Sequence, residues 1–311
     1  MYKIILDKIN EYQNITIFRH VHPDGDAMFS AYALYLFLKD NFKEKKIKVS
    51  GFDTYDKFNK IDKVSDNFIN NSLGIVLDTS NRERIDDSRA LNTKYLIKID
   101  HHPIIDQYGD INYVEDFSAA CAEVLARMFL SKEFSKYKLS KKVCEALYCG
   151  ILTDTMNFKT SSCKPETLYI ASLLAKKGDL KMSKLTVMLF DDSLEEFKLD
   201  AKLRTKLQIK DKLGYILLDS KELKKLNSDS EKVKSHVECI GAISELNIWA
   251  LFAYNSKTKM YDGSIRSKAQ LTVNKLAAEY GGGGHKCAAG VRSLNIQQVN
   301  EIIEKLAYIS K

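Results

Sequence analysis

Acidic and histidine residues follow directly after apolar segments at four places in the first half of this chain. Three of the segments are short β-prone runs, 15–18, 73–77 and 95–99, and the fourth, 146–152, has helical character. Apolar strands that alternate with helical patterns predict an α/β fold with a mostly parallel sheet covered on both faces. Ligands of such folds bind beyond the carboxyl ends of the strands. The polar residues that follow the four segments are His20, Asp24 and Asp26; Asp78; Asp100, His101 and His102; and Asp154.

These polar clusters together predict a metal centre. A carboxylate at the end of a buried strand costs several kcal/mol unless it is paired or binds a metal. A helix N-cap explains any single aspartate equally well, but not four clusters that hold four of the six histidines. Such ligands suit two divalent cations about 3.5–4 Å apart. Without thiolates, manganese fits best, and magnesium, cobalt or iron remain alternatives. The chemistry favoured is hydrolysis of a phosphate ester by in-line attack of hydroxide.

Composition excludes several other classes of protein. No segment of the 311 residues approaches the ~18 consecutive apolar residues of a membrane-spanning helix, and the N-terminus lacks the regions of a secretory signal. The six cysteines form no CxxC pair, so we expect free thiols and a cytoplasmic protein. The net charge of +7 is spread along the chain. No basic stripe supports binding of long nucleic acids.

The length and pattern predict two domains. We expect a catalytic domain over 1–190, a helical linker over 191–210 within a charged, helix-like stretch, 181–210, and a smaller α/β domain over 211–311. Within the smaller domain the predicted strands are 215–218, 248–254 and 261–265, and the predicted helices are 271–280 and 296–309. The glycine run 281–284 ends the first of these helices. Such a run also lets a backbone approach an anion closely.

The order of the motifs identifies a family resemblance over nearly the whole chain. The pattern H-x3-D-x-D at His20, followed by Asp78, by Asp100-His101-His102 and by Asp154, resembles the DHH phosphoesterase superfamily. The stretch 264–268, followed by 281–285, is similar to the DHH-associated substrate domain of the oligoribonuclease and pAp-phosphatase branch. Family II pyrophosphatases resemble the first half alone. RecJ-type exonucleases resemble both halves but usually carry further domains.

The resemblance implies a role for each motif residue. His20 and Asp24 would hold one metal ion, Asp26 and His101 the second, and Asp78 and Asp154 would bridge or complete the two sites. His102 would lie near the phosphate, and Asp100 would orient the imidazoles. We expect His22 and His236 not to bind metal. The expected substrate-binding residues of the second domain are Arg266, Ser264, Gly282, Gly283, Gly284 and His285.

The implied function is that of a cytoplasmic phosphoesterase with its active site in the cleft between the domains. A hydroxide that bridges two manganese ions would cleave short oligoribonucleotides to 5′-mononucleotides and convert 3′-phosphoadenosine 5′-phosphate (pAp) to AMP. Linear dinucleotides such as pApA are an extension of this substrate class. The alternatives are an exopolyphosphatase or pyrophosphatase, a RecJ-like single-strand exonuclease, and a catalytically silent nucleotide-binding regulator. Asn157 stands where relatives often have arginine, which concerns substrate preference. The sequence leaves a homodimer open.

Overall fold

A computed structural model describes residues 1–52, 61–268 and 271–311 of the chain, except for the side chain of His285. The chain divides into a first unit, Met1–Asp191, and a second unit, Asp192–Lys311. All six cysteines are free thiols. Within the described ranges, none of the helices combines the length and the apolar character that crossing a membrane requires.

The first unit alternates helices with the strands of one sheet. Its strands are β1 (Asn14–Phe18), β2 (Lys46–Val49), β3 (Leu73–Leu77), β4 (Tyr95–Asp100) and β5 (Ile111–Val114). Its helices are α1 (Tyr2–Glu11), α2 (Gly25–Asn41), α3 (Asp66–Asn70), α4 (Cys121–Leu130), α5 (Lys141–Asp154), α6 (Pro165–Gly178) and α7 (Met182–Phe190). The strand order is β2-β1-β3-β4-β5, and every neighbouring pair is parallel. The predicted α/β fold with a mostly parallel sheet is therefore confirmed.

Both faces of this sheet are covered, which explains the continuous apolar strands. Every residue of β3 is buried. Ile75 and Leu77 pack into the larger core with α2, α4 and α5, whereas Val76 packs on the opposite face with Ile69 of α3. The first residues of α2 and the last residue of α5 carry Asp26 and Asp154. Packing of these helices on the sheet therefore positions two of the predicted ligands.

The second unit has a mixed sheet. Its strands are β6 (Gln208–Lys210), β7 (Leu213–Leu218), β8 (Ile248–Asn255), β9 (Met260–Ser267), β10 (Gly283–His285) and β11 (Ala288–Leu294). Its helices are α8 (Leu194–Arg204), α9 (Ser220–Leu226), α10 (Ser230–Ser235), α11 (Asn274–Glu279) and α12 (Ile296–Ser310). The strand order is β10-β11-β9-β8-β7-β6, with β7 and β8 parallel and the other pairs antiparallel.

Three local expectations differ from the structure. The helix-like stretch 181–210 contains two helices and a short strand, because Ser193 starts a new helix with a capping box to Glu196. The predicted helix 271–280 is shorter and begins at Asn274. The glycine run ends this helix as expected, with Gly281 at φ 72°, but Gly283 already belongs to a strand.

Candidate active site

The first group of candidate metal ligands joins the loops after β1 and β3. His20 follows β1, Asp24 is the N-cap residue of α2, and Asp78 follows β3. The Nε2 atom of His20 lies 3.7 Å from Oδ2 of Asp24 and 3.6 Å from Oδ2 of Asp78. The other oxygen of Asp24 accepts a hydrogen bond from the backbone N–H of Ala27. Asp24 therefore caps the helix and faces His20 at the same time.

The second group surrounds the imidazole of His101. Its Nε2 atom lies 3.6 Å from Oδ2 of Asp154 and 4.0 Å from Oδ2 of Asp26. The buried carboxylate of Asp26 accepts hydrogen bonds from the backbone N–H groups of Cys121 and Ala122. These donors are the first residues of α4, whose N-terminus favours a negative charge. The start of α4 thus holds Asp26 in place.

Asp78 lies between the two groups. Its Oδ1 atom is 3.3 Å from Nε2 of His101, while Oδ2 faces His20. Its φ of 53° lies in the left-handed region, which aspartate tolerates better than most residues. Oδ1 is buried and accepts no hydrogen bond from the described residues. A buried carboxylate oxygen that lacks a donor, set among further carboxylates and imidazoles, fits a divalent cation.

The pKa values of the acidic and histidine side chains in this cluster also fit a site for divalent cations. Burial and the charges of Asp78 and Asp154 raise the pKa of Asp26 well above its usual range. Burial, with the charge of Asp78, raises the pKa of Asp154 to about 7. Burial alone would lower the pKa of His20, but the neighbouring carboxylates raise it to about 10. When no cation is bound, protons held by these side chains therefore reduce the negative charge of the cluster. Bound divalent cations would neutralise the same charge.

Asp100 connects the metal cluster to a buried lysine. Its Oδ1 atom lies 2.8 Å from Nδ1 of His102 and accepts the backbone N–H of His101. Its Oδ2 atom lies 3.2 Å from Nζ of Lys98, and neither side chain is exposed. Burial alone would raise the pKa of Asp100, but the imidazole of His102 and the ammonium of Lys98 hold it below its usual range. The carboxylate favours the tautomer of His102 that carries its proton on Nδ1.

His102 and His22 differ in their relation to the ligand groups. Nδ1 of His102 lies 3.5 Å from Oδ1 of Asp78, so His102, Asp78 and His101 form a third candidate group. Because Nδ1 of His102 is hydrogen-bonded to the carboxylate of Asp100, that nitrogen cannot also bind a metal ion. His22 belongs to none of the groups found among the described residues.

Two residues that support the site were not predicted. Lys98 donates to the backbone carbonyls of Ser80 and Asp106 and so ties together the loops after β3 and β4. The sequence signal for it is a lysine within an otherwise apolar strand. Ser30 donates to Oδ1 of Asp26 over 3.0 Å from one turn further along α2. Serine is common in helices, so no sequence signal singles it out.

The expected substrate-binding residues of the second unit lie on or next to the two strands that flank β11. Ser264 and Arg266 lie on β9, Gly283, Gly284 and His285 lie on β10, and Gly282 directly precedes β10. Ser264 and Arg266 point to one face of β9, since they are two residues apart. Across β11, Gly290 is in register with Ser264 and with Gly283 of β10. Nε of Arg266 donates to Glu238 over 3.2 Å. The backbone of His285 lies on β10, and its side chain is outside the described part of the chain.

The three predicted glycines have different surroundings. A side chain at Gly282 would meet the carbonyl oxygen of Gly290, and one at Gly284 would meet that of Ala288. Gly284 also has φ 140°. By contrast, a Cβ atom at Gly283 would meet no described atom within 4 Å. The local fold therefore explains glycine at 282 and 284 but not at 283. The remaining histidine, His236, pairs with Asp200 over 2.6 Å.

Both units of the chain are similar to known proteins. Residues 14–151 match the DHH family, N-terminal domain, and residues 219–311 match the DHHA1 domain. The chain is 35% identical to a Streptococcus mutans protein named probable bifunctional oligoribonuclease and PAP phosphatase NrnA, over 100% of this chain and 99% of that protein. It is 29% identical to the Bacillus subtilis bifunctional oligoribonuclease and PAP phosphatase NrnA, over 99% and 98% of the two chains.

Among solved structures, an exopolyphosphatase-related protein from Bacteroides fragilis has the same fold. The TM-score is 0.89 at 23% identity, over 99% of this chain and 95% of that one. A parallel α/β unit with carboxylates and imidazoles at its strand ends, joined to a second α/β unit, defines a metal-dependent phosphoesterase. The chain belongs to the DHH family, and the predicted family resemblance is confirmed.

Proposed function

We propose that this phosphoesterase hydrolyses short oligoribonucleotides to 5′-mononucleotides and pAp to AMP, and that it also cleaves linear dinucleotides such as pApA. Two full-length relatives carry the names oligoribonuclease and PAP phosphatase. The observation that carries the proposal is the position of Asp78, whose two oxygens face different ligand groups. A shared carboxylate between two groups suits a pair of cations acting on one phosphate.

The proposed cofactor is a pair of divalent cations, with manganese as the best fit and magnesium or cobalt as alternatives. His20, Asp24 and Asp78 would hold one ion, and the other would bind to Asp26, His101 and Asp154. The donors are imidazoles and carboxylates without thiolates, which suits manganese. When bound, the cations supply a hydroxide nucleophile at neutral pH and neutralise charge on the phosphoryl group.

The chain itself contributes a proton donor beside the proposed cations. With its proton on Nδ1 held by Asp100, His102 keeps Nε2 for the substrate. We propose that a protonated His102 donates the Nε2 proton to the oxygen of the leaving group, while Asp100 stabilises the imidazolium. Lys98 offsets the negative charge of Asp100 from the opposite side. These groups orient His102 before the substrate arrives, which lowers the cost of reaching the transition state.

The second unit is proposed to bind the terminal phosphate or nucleoside of the substrate. Arg266 offers a guanidinium that can contact a phosphate through two N–H groups. Ser264 lies on the same face of β9, and Gly283 leaves backbone open to close approach. Gly282, Gly284 and His285 belong to the same proposed surface. A single terminal contact surface suits substrates of a few nucleotides.

The proposed compartment is the cytoplasm. The six cysteines are free thiols, and four of them are buried. Free thiols are typical of proteins in reducing compartments.

The proposed specificity can be tested with one panel of substrates. Purified protein with manganese is assayed on pAp, pApA, pyrophosphate and a long single-stranded RNA. We expect rapid release of phosphate from pAp and of AMP from pApA, with slow cleavage of the long RNA. Asp78→Asn, which keeps the side-chain volume, is the matched inactive control.

Three outcomes would refute parts of the proposal. Cleavage of the long RNA as fast as that of pApA would contradict the short-substrate specificity. Faster release of phosphate from pyrophosphate than from pAp would contradict the nucleotide specificity. Activity that Asp78→Asn leaves unchanged would show that the shared carboxylate does not serve the reaction.

A further inference from the structure

Large apolar side chains are exposed on three of the loops that carry or contact the candidate metal ligands. Ile104 and Ile105, on the loop after β4, are 58% and 71% exposed. Phe117, on the loop between β5 and α4, is 52% exposed, and Met156, two residues after α5, is 45% exposed. Exposed apolar side chains that cluster at a site mark a surface for a ligand or partner. A phosphate alone gains nothing from them, so they indicate a substrate that also has an apolar part.

The loop that carries Phe117 is fixed beside the ligand His101. The carbonyl oxygen of Ser118 lies 3.4 Å from Nδ1 of His101. The hydroxyl of Ser118 donates to the buried carboxylate of Glu115 over 2.8 Å. The carbonyl oxygen of Phe117 itself accepts a hydrogen bond from Nζ of Lys164 over 3.0 Å. Because the backbone of this loop is ordered in advance, a ligand that contacts the Phe117 ring loses less free energy in ordering it.

A cation supports the ring of Phe117. The guanidinium carbon of Arg127 lies 5.7 Å from the ring centroid, a distance typical of a cation–π contact. Arg127 is held in turn by ion pairs with two buried carboxylates, Glu115 and Glu123. Half of Phe117 nevertheless remains exposed. The contact with Arg127 therefore fixes the ring and leaves aromatic surface open to a ligand.

A nucleobase is the ligand that this aromatic surface fits best. An aromatic side chain can stack on every base, because every base has a π face, and such stacking strengthens the binding of single-stranded nucleic acids. In a nucleotide the base is joined to the phosphate through one sugar. A phosphate bound at the ligands around His101 thus carries a base toward the adjoining loop. Pyrophosphate and polyphosphate have no group that could stack on the ring.

We propose that Phe117 stacks on a base of the substrate and so makes the active site select nucleotides over inorganic phosphates. This inference rests on the proposed function, in which pAp and short oligoribonucleotides supply the base. Stacking of this kind tolerates any base sequence. Phe117 thus binds and positions the substrate, whereas the chemistry of hydrolysis belongs to the ligand cluster and His102.

The test removes the ring from the protein and the base from the substrate in separate steps. Phe117→Leu keeps an apolar side chain without a π face, and Phe117→Trp keeps the π face. Each variant is assayed with manganese on pAp and on a sugar bisphosphate that is identical to pAp but lacks the adenine. In Phe117→Leu we expect the ratio of kcat/KM for pAp to that for the baseless compound to fall about tenfold, mainly through KM, because one stacked base is lost. Phe117→Trp keeps the native ratio.

A binding measurement makes the test independent of turnover. By calorimetry in the presence of manganese, we expect AMP to bind about tenfold more weakly to Phe117→Leu than to the native chain, and as tightly to Phe117→Trp. Phe197→Leu removes a ring that is 62% exposed on α8 and is the matched control, with native values in both measurements. All three variants are expected to stay close to the native melting temperature, because both rings are exposed.

Three results would overturn the proposed stacking. One is a substrate ratio and an AMP affinity that Phe117→Leu leaves at their native values. Another is a native chain that binds AMP no more tightly than inorganic phosphate. The third is a lower melting temperature of Phe117→Leu in place of these effects, which would assign the ring to packing within the chain. By contrast, a native chain that binds AMP through Phe117 but does not hydrolyse pAp would contradict the proposed function and support the stacking.

Discussion

The buried ion pair between Lys98 and Asp100, which adjoins His102, allows a direct test of how the fold supports the active site. Lys98→Met keeps the unbranched, flexible side chain but removes the ammonium 3.2 Å from Oδ2 of Asp100. The carbonyls of Ser80 and Asp106 lose their charged donor as well. Removing one partner of a buried pair costs about 3–5 kcal/mol, because the other charge stays behind without compensation. For a unit of this size, roughly 2–4 °C per kcal/mol predicts a fall in melting temperature of about 6–20 °C.

The assay combines chemical denaturation with steady-state kinetics on pAp. Lys46→Met, an exposed lysine on β2, is the matched control and changes the free energy of unfolding by less than about 0.5 kcal/mol. Adding Asp100→Asn to Lys98→Met restores part of the stability, since no buried charge is then unpaired. In Lys98→Met we expect kcat to fall more than KM changes, because His102 loses its orientation. A loss of stability below about 1 kcal/mol, or a double variant no more stable than Lys98→Met, would refute this account.

Three further predictions concern the ligands and the second unit. Asp154→Asn lowers kcat/KM for pAp by more than about 100-fold, the upper range for loss of a residue that merely supports a metal ligand. It does not lower the melting temperature of the metal-free protein at pH 8, because burial raises the pKa of Asp154 to about 7 and its ionised form is destabilising. Manganese binding at pH 7 releases protons, measured by calorimetry in buffers of different ionisation enthalpy, and binding without proton release would contradict the raised pKa of His20. Because that pKa rises from 6.5 to about 10, the ion pairs of His20 stabilise the metal-free protein fully below pH 6.5, and this stability is lost as the pH rises through 10. Gly283→Ala raises KM for pAp without lowering the melting temperature, whereas Gly282→Ala lowers the melting temperature, because a Cβ atom would meet backbone at 282 but no described atom at 283. Equal melting temperatures in these two variants would contradict this distinction.

Burial on both faces made the central strands predictable. The runs 15–18, 73–77 and 95–99 are apolar because no side of β1, β3 or β4 faces water. Strand β5 was not predicted, because only Ile111 of its four residues is buried. Its hydrophobic pattern therefore resembles that of a loop. The end of one helix and the start of the next at Ser193 were not predicted either, because the residues on both sides of this capping box have helical character.

The sequence by itself determined the set of candidate ligands. Residue type and position after an apolar segment are local properties, and strands in a parallel sheet bring their carboxyl ends to one edge. Only the tertiary structure decided how these ligands are grouped and supported. Asp26 receives backbone hydrogen bonds from Cys121 and Ala122, and Lys98 reaches the carbonyl of Ser80. Such contacts join segments far apart in the chain, and their distances arise from the packing of helices on the sheet, which no local pattern encodes.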